Sequence, residues 1–182
     1  MKKFYLKRDD TLLIIVDLQE RLMAAMPQRD RVFRNTAVLL ALAGQYQLPV
    51  IVTEQYPRGL GPTVTEIKQA LPEHVCLEKV RFSASSRELS EILTKLGRPN
   101  IIMTGSETHV CVFQTTRDLL EAGYNIHLVR DAVCSRFEEN YLNGLALMQD
   151  MGAVVTTTET VVFDLLEEAG SPEFRAMSAL IK

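Results

Sequence analysis

Four side chains able to do chemistry close four apolar runs of this chain. Asp17 follows Thr11-Leu12-Leu13-Ile14-Ile15-Val16, and Glu54 follows Val50-Ile51-Val52-Thr53. Lys79 ends Val75-Cys76-Leu77-Glu78, and Cys111 lies a turn beyond Asn100-Ile101-Ile102-Met103-Thr104-Gly105. A cysteine attacks as its thiolate, which calls for a depressed pKa or an adjacent base. Histidine is the usual base, but His109, two residues from Cys111 on a helix, points to another side. His74 and His127 lie at or within strands and read as structural. Asp17 and Lys79 are the better partners. Lys79 would stabilise a thiolate by about 4 kcal/mol at 4 Å in an effective dielectric near 20, before desolvation is counted. Asp17 could take the thiol proton and later pass it to a leaving group or activate water. Backbone N–H groups of the turn before Cys111, with that of Cys111 itself, could hold an oxyanion, each donor typically contributing about 2.7–4 kcal/mol. The competing reading makes Cys111 a small apolar residue packed under a sheet, the commoner fate of a free cysteine.

The elements that must position these groups are legible as alternating patterns. The run through Gly105 reads as strand and tight turn, and Val112, Thr115, Thr116, Leu119 and Leu120 continue as an amphipathic helix. Cys111 then falls at the helix start, where unpaired N–H groups and the dipole favour an anion, so a stabilised thiolate is expected. Further helices are expected over 31–47, over 63–71 capped at Thr63 with Glu66 three residues on, over 85–96 stopped by Gly97 and Pro99, over 138–151, and from a Thr158 cap through Glu168, with a last one opened by Ser171-Pro172-Glu173. Strands are expected at Tyr124–Val129 and Gly152–Thr157. Strand and helix in alternation imply right-handed crossovers and a mainly parallel sheet with helices on both faces. Ligands bind such sheets at the carboxyl ends of strands, where Asp17, Glu54, Lys79 and Cys111 all fall. That convergence favours the nucleophile reading. The turn-rich loop from Glu54 to Pro62 is a pocket wall or an ordinary surface crossing.

A chain of 182 residues reads as a single domain, 1–182, with a net charge of −3 and both signs interspersed. Neither a nucleic-acid footprint nor a membrane surface is implied. Three scattered cysteines without a Cys-x-x-Cys pair argue for a reducing compartment and against a disulfide frame or structural zinc. The charged start, Met1-Lys2-Lys3-Phe4, does not read as a signal peptide, and the expected location is cytoplasmic. Gly59-x-Gly61 lacks the setting of a dinucleotide fingerprint, and no cofactor is expected.

Asp17 in Val16-Asp17-Leu18-Gln19, Lys79 followed by Arg81-Phe82-Ser83-Ala84, and Cys111 in Gly105-x-Glu107-Thr108-x-x-Cys111-Val112 resemble the isochorismatase-like cysteine hydrolase superfamily. The loop Thr53-Glu54-Gln55-Tyr56-Pro57-x-Gly59-Leu60-Gly61-Pro62 is most similar to the isochorismatase domain-containing protein branch. The resemblance spans essentially the whole chain. It implies a three-layer α/β/α Rossmann-like fold with strand order 3-2-1-4-5-6 and an Asp17, Lys79, Cys111 triad. It also implies a cis peptide at Ser106-Glu107, an oxyanion hole from the N–H groups of Glu107 and Cys111, and a homo-oligomer between dimer and octamer.

Departures from the family pattern narrow the expected chemistry. Nicotinamidases hold a metal through an Asp-x-His pair and a further histidine, whereas this chain has Thr53-Glu54-Gln55-Tyr56, so no metal is expected. Cys111 favours acyl over ether chemistry. The expected activity is therefore hydrolysis of a small amide or carbamoyl C–N bond through a thioester, in a pocket of Gln19, Tyr56, Leu60, Phe82, Thr108 and Phe113. The rival readings are an isochorismatase-type ether hydrolase and an oligomeric scaffold with a vestigial site.

Overall fold

The computed structural model describes Lys2–Ile181. Two short 3-10 turns lead into β1 (Thr11–Val16), followed by α1 (Glu20–Met23), α2 (Arg29–Tyr46), β2 (Val50–Gln55), α3 (Pro57–Leu60), α4 (Thr65–Lys68) and β3 (His74–Lys79). The second half holds α5 (Arg87–Leu96), β4 (Asn100–Ser106), a π-helical turn over Thr108–Val112, α6 (Phe113–Glu121), β5 (Asn125–Cys134), α7 (Glu138–Asp150), β6 (Val154–Thr156), α8 (Thr158–Leu166) and α9 (Pro172–Ile181). The strands form one sheet in the order β3-β2-β1-β4-β5-β6, every neighbouring pair parallel. The order and the flanking helices agree with the expected α/β fold.

β1 and β4 are buried along their whole length, because the sheet is covered on both sides. The period-2 alternation of β1 divides the core. Leu13 and Ile15 pack with α2, α8 and α9 on one face, while Leu12, Ile14 and Val16 pack with α5, α6 and α7 on the other.

Helix ends follow the local signals with instructive exceptions. Ser86 Oγ accepts from Leu89 N at 3.1 Å at the start of α5, and Gly97 closes that helix at φ 63°. Thr63, expected to cap a helix, instead points back into the sheet edge, and only α4 forms, from Thr65. β5 runs five residues beyond Val129, to Cys134, with its register to β4 shifting between Met103 and Gly105. The cap of α8 is Thr157 rather than Thr158, whose N–H and hydroxyl both donate to Asp131 Oδ1 at 2.9 Å.

Gly105 lets β4 lie close against β1. A methyl group on it would lie 2.1 Å from Val16 O, and its φ is 136°. Gly44, inside α2, has nothing within 4 Å of such a methyl. Gly105→Ala is therefore expected to lose at least about 3 kcal/mol of stability. Gly44→Ala should gain about 0.5–1 kcal/mol. Urea unfolding of the two variants measures both, and a Gly105→Ala protein as stable as the parent would contradict the close β1–β4 approach.

Candidate active site

Asp17 leaves β1 in the left-handed region, φ 51°, which a short polar side chain tolerates. Its N–H donates to Thr53 O at 3.1 Å, which aims the carboxylate across the end of β2. Oδ1 accepts from Thr53 Oγ1 at 2.6 Å, and Oδ2 accepts from Lys79 Nζ at 2.6 Å. This ion pair is sealed from water, with the Asp17 side chain 0% and that of Lys79 8% exposed. Lys79 also donates to Gln55 Oε1 at 2.8 Å and Phe82 O at 2.9 Å, with Arg81 O at 3.4 Å. Gln55 stands opposite Lys79 in the β2–β3 register, so the two strands deliver the contact directly.

The third group arrives from the other side of β1. Ser106 Oγ donates to Asp17 O at 2.8 Å, tying the end of β4 to the turn that carries the aspartate. The Ser106–Glu107 peptide is cis, as the resemblance implied. Glu107 O then accepts from the N–H groups of Val110 and Val112, and Cys111 sits inside this π-helical turn, 5% exposed. Asp17 and Lys79 both act on its thiol.

The electrostatics reverse one expectation. A resting thiolate was expected at Cys111; instead burial pushes the thiol up to about 12, with the Asp17 carboxylate adding to the rise and Lys79 opposing it. Lys79 is already neutralised by Asp17 at contact distance, so its field at the sulfur is largely cancelled. Burial also raises the Asp17 carboxyl above its ordinary 3.8, against the opposing pull of Lys79 and Thr53. The resting site holds a neutral thiol beside an ion pair.

The remaining expected residues fall in different places. Glu54, at the same sheet edge, has Oε1 engaged by Thr63 N at 2.6 Å and Thr63 Oγ1 at 2.7 Å, so it braces the loop. Gln19, wholly buried, accepts from Gln55 N at 2.7 Å and donates to Gln55 O and Gly61 O, which takes up its amide in the same loop. Tyr56 and Phe82 are each 54% exposed, Leu60 is half-buried, and Phe113 is half-buried against the core of the α5–α7 face. Thr108 is wholly buried at the head of the turn, and its Oγ1 has no hydrogen-bond partner among the described residues. His109 turns to Ser135, Nδ1 to Oγ 3.0 Å, and His127 is buried within β5. Thr53, Gln55, Ser106 and Arg136 were not foreseen; Arg136 pairs with Glu107. Among the described residues no cluster of three or more His, Cys, Asp or Glu side chains could hold a metal, and no helix is long and apolar enough to cross a membrane.

This geometry can be set beside known proteins. The family model of the Isochorismatase domain matches residues 11–160. The chain is a member of the isochorismatase family. Among curated relatives, the secreted isochorismatase effector Isc1 of Phytophthora sojae is 37% identical over 94% of this chain and 84% of its own. Isochorismatase domain-containing protein 2 of Danio rerio is 35% identical over 94% and 86%, which agrees with the branch expected from the loop. Among solved structures, the MAR1 ribonuclease of Caenorhabditis elegans is 35% identical, with a TM-score of 0.92 over 97% of this chain and 92% of that one. The protein is thus an isochorismatase-like hydrolase in fold and sequence. One of these relatives is secreted, so family membership does not specify a compartment.

The neutral-thiol arrangement makes a directional prediction. Alkylation of Cys111 by iodoacetamide, resolved by mass spectrometry, should still be accelerating above pH 10 in the wild type, because burial pushes the thiol up to about 12. Asp17→Asn removes the negative charge and leaves Lys79 facing the sulfur, so its midpoint should fall and labelling at pH 8 should quicken. An unchanged or higher midpoint in that variant would remove Asp17 from contact with the thiol.

Proposed function

We propose that this isochorismatase-like hydrolase cleaves a C–N bond of a small amide or carbamoyl compound through a thioester on Cys111. The observation that carries the reading is the sealed Asp17–Lys79 pair set against a buried cysteine inside the π-helical turn. As Sγ closes on the carbonyl carbon, its proton passes to the Asp17 carboxylate. The developing oxyanion is received by the N–H groups of Glu107 and Cys111, and Asp17 returns the proton to the departing amine. Water then enters and gives a proton to Asp17 as its oxygen attacks the thioester carbonyl; the C–S bond breaks, the acid leaves, and Asp17 returns that proton to Cys111 Sγ. Lys79 holds Asp17 in place throughout.

A base whose thiol partner is buried neutral acts during attack rather than before it, which is general-base catalysis, worth about 10²–10⁴-fold. With Cys111 only 5% exposed and Asp17 and Thr108 at 0%, access is narrow, which supports a small substrate. Tyr56, Leu60 and Phe82 would form the apolar side of its entrance, and Thr108 Oγ1 offers the substrate an uncommitted hydroxyl. The exposed Tyr56 and Phe82 rings also supply apolar surface of the kind covered when a homo-oligomer forms. The name of the C. elegans relative supports a second reading, phosphodiester cleavage of RNA, in which attack falls on phosphorus and no acyl-enzyme forms.

A panel of small amides, carbamoyl compounds and RNA, followed by product release and intact mass, tests the reading. Cys111→Ala and Asp17→Asn should each lower amide turnover at least about 10³-fold with the fold retained. The base must be ionised and its pKa is raised, so activity should fall on acidification through a pKa above 3.8. An acid limb at or below that value would contradict the assignment of Asp17. RNA cleavage that survives Cys111→Ala, with every amide inert, would replace the amidase reading.

A further inference from the structure

We infer that Arg136 is a positioning residue that holds the oxyanion turn in register with Cys111, an inference that rests on the proposed acyl chemistry. Glu107, whose N–H is one of the two proposed oxyanion donors, has a side chain only 9% exposed. Its Oε2 accepts from the backbone N–H of Arg136 at 3.1 Å and from Arg136 Nε at 3.2 Å. Arg136 lies in the corner between β5 and α7, and that corner and α7 itself each meet the turn at one more point. Ser135 Oγ meets His109 Nδ1 at 3.0 Å. Gly144 of α7 lies so close that a methyl group there would sit 3.1 Å from the Cα and N of His109 and 3.2 Å from the carbonyl carbon of Thr108.

The corner and α7 thus fix Glu107, Thr108 and His109 in succession, leaving Cys111 and its N–H at the end of a clamped segment. A buried carboxylate that loses its guanidinium is left with one donor and turns toward water. Because the carboxylate anchors the residue whose N–H is the proposed donor, losing one of its two holds loosens the backbone of the turn at that N–H. The guanidinium side chain is itself 53% exposed and fills no core volume, so its removal should leave the fold standing. An ordinary corner ion pair would have the same contacts without any effect on chemistry at Cys111.

Two electrophiles separate these cases without a known substrate. p-Nitrophenyl acetate is attacked at its carbonyl carbon: an S–C bond forms, the carbonyl oxygen becomes the oxyanion, p-nitrophenolate leaves with the C–O pair as the oxyanion collapses to the thioester, and the thiol proton goes to Asp17 or solvent. Methyl methanethiosulfonate is attacked at sulfur: an S–S bond forms, methanesulfinate leaves with the pair, the thiol proton goes to Asp17 or solvent, and no oxyanion develops. The ratio of the two rates at Cys111, measured on the full-length protein by mass spectrometry and referred to glutathione, cancels the thiolate population and reports the oxyanion donors.

The wild-type ratio should exceed that of glutathione. Arg136→Ala should lower it roughly ten- to a hundredfold, less than the 10²–10³ typical of losing a donor outright, with the fold retained and the thermal midpoint only slightly lowered. Arg136→Lys should recover most of the loss, and Gly144→Ala, which presses on the turn from the other side, should lower the ratio as well. A ratio unchanged in Arg136→Ala, or both rates falling by one factor, would overturn the role of Arg136 while leaving the proposed acyl chemistry standing. A wild-type ratio no higher than that of glutathione would instead overturn the oxyanion hole itself, and the role of Arg136 with it.

Discussion

The site depends on a buried ion pair. Asp17 and Lys79 meet at 2.6 Å with almost no exposed side-chain surface, and removing two such charges from water costs several kcal/mol each. Apolar residues of similar volume would be at least as stable in that place. What offsets the cost is complete partnering: Thr53 serves the free carboxylate oxygen, while Asp17, Gln55 and the Phe82 carbonyl take up the ammonium donors. The pair also spans β2, joining the carboxyl ends of the central strand and the edge strand, so that the ends of β1, β2 and β3 are set by one contact.

Sheet order explains why the cysteine can meet this pair. β1 and β4 are neighbours at the point where the strand order reverses, and the chain leaves them in different directions, opening the crevice at their carboxyl ends. Gly105 allows β4 to lie against Val16 without a side chain intervening, and the Ser106 hydroxyl then locks the exit of β4 to the backbone of Asp17. Asp17 and Cys111 are thus brought together by two local features of adjacent strands rather than by long-range loop packing.

This division decides what was legible in the sequence. Groups that close apolar runs announce themselves, so the sheet-end positions of Asp17 and Lys79, and of Cys111 a turn beyond β4, could be read from pattern, and the alternation of elements carried the fold. The partners of those groups were harder. Cutting β2 at Thr53 instead of Gln55 hid the residue that faces Lys79, although the alternation of Thr53 and Gln55 on one strand face was the available signal. Glu54 looked as capable as Asp17 because sequence does not show that Thr63 folds back to occupy it. Arg136 carries no local signal at all: its meaning comes from a contact with Glu107 across 29 positions of chain. The sign of the Cys111 shift is hidden in the sequence for a related reason. Helix position and Lys79 read there as separate charges, whereas burial dominates and Lys79 acts through an aspartate that cancels most of its field.

The neutral thiol is coherent with the proposed reaction once charge is followed through it. At rest the site holds a neutral Cys111, an anionic Asp17 and a cationic Lys79. When sulfur attacks and Asp17 takes the proton, one negative charge has left the carboxylate and one has appeared on the substrate oxygen, while Lys79 has kept its own. The total is constant, and the negative charge has moved from the end of β1 to the N–H groups at the end of β4. A site with a resting thiolate beside a free lysine would also react, but it would hold its stabilising charge against the ground state. In the proposed reaction the fixed dipoles of the turn would favour charge only where it is delivered, which would lower the barrier rather than the starting state. The burial that makes Cys111 a poor thiolate is on this account compatible with its being a nucleophile, provided that the turn from Glu107 to Cys111 stays in place.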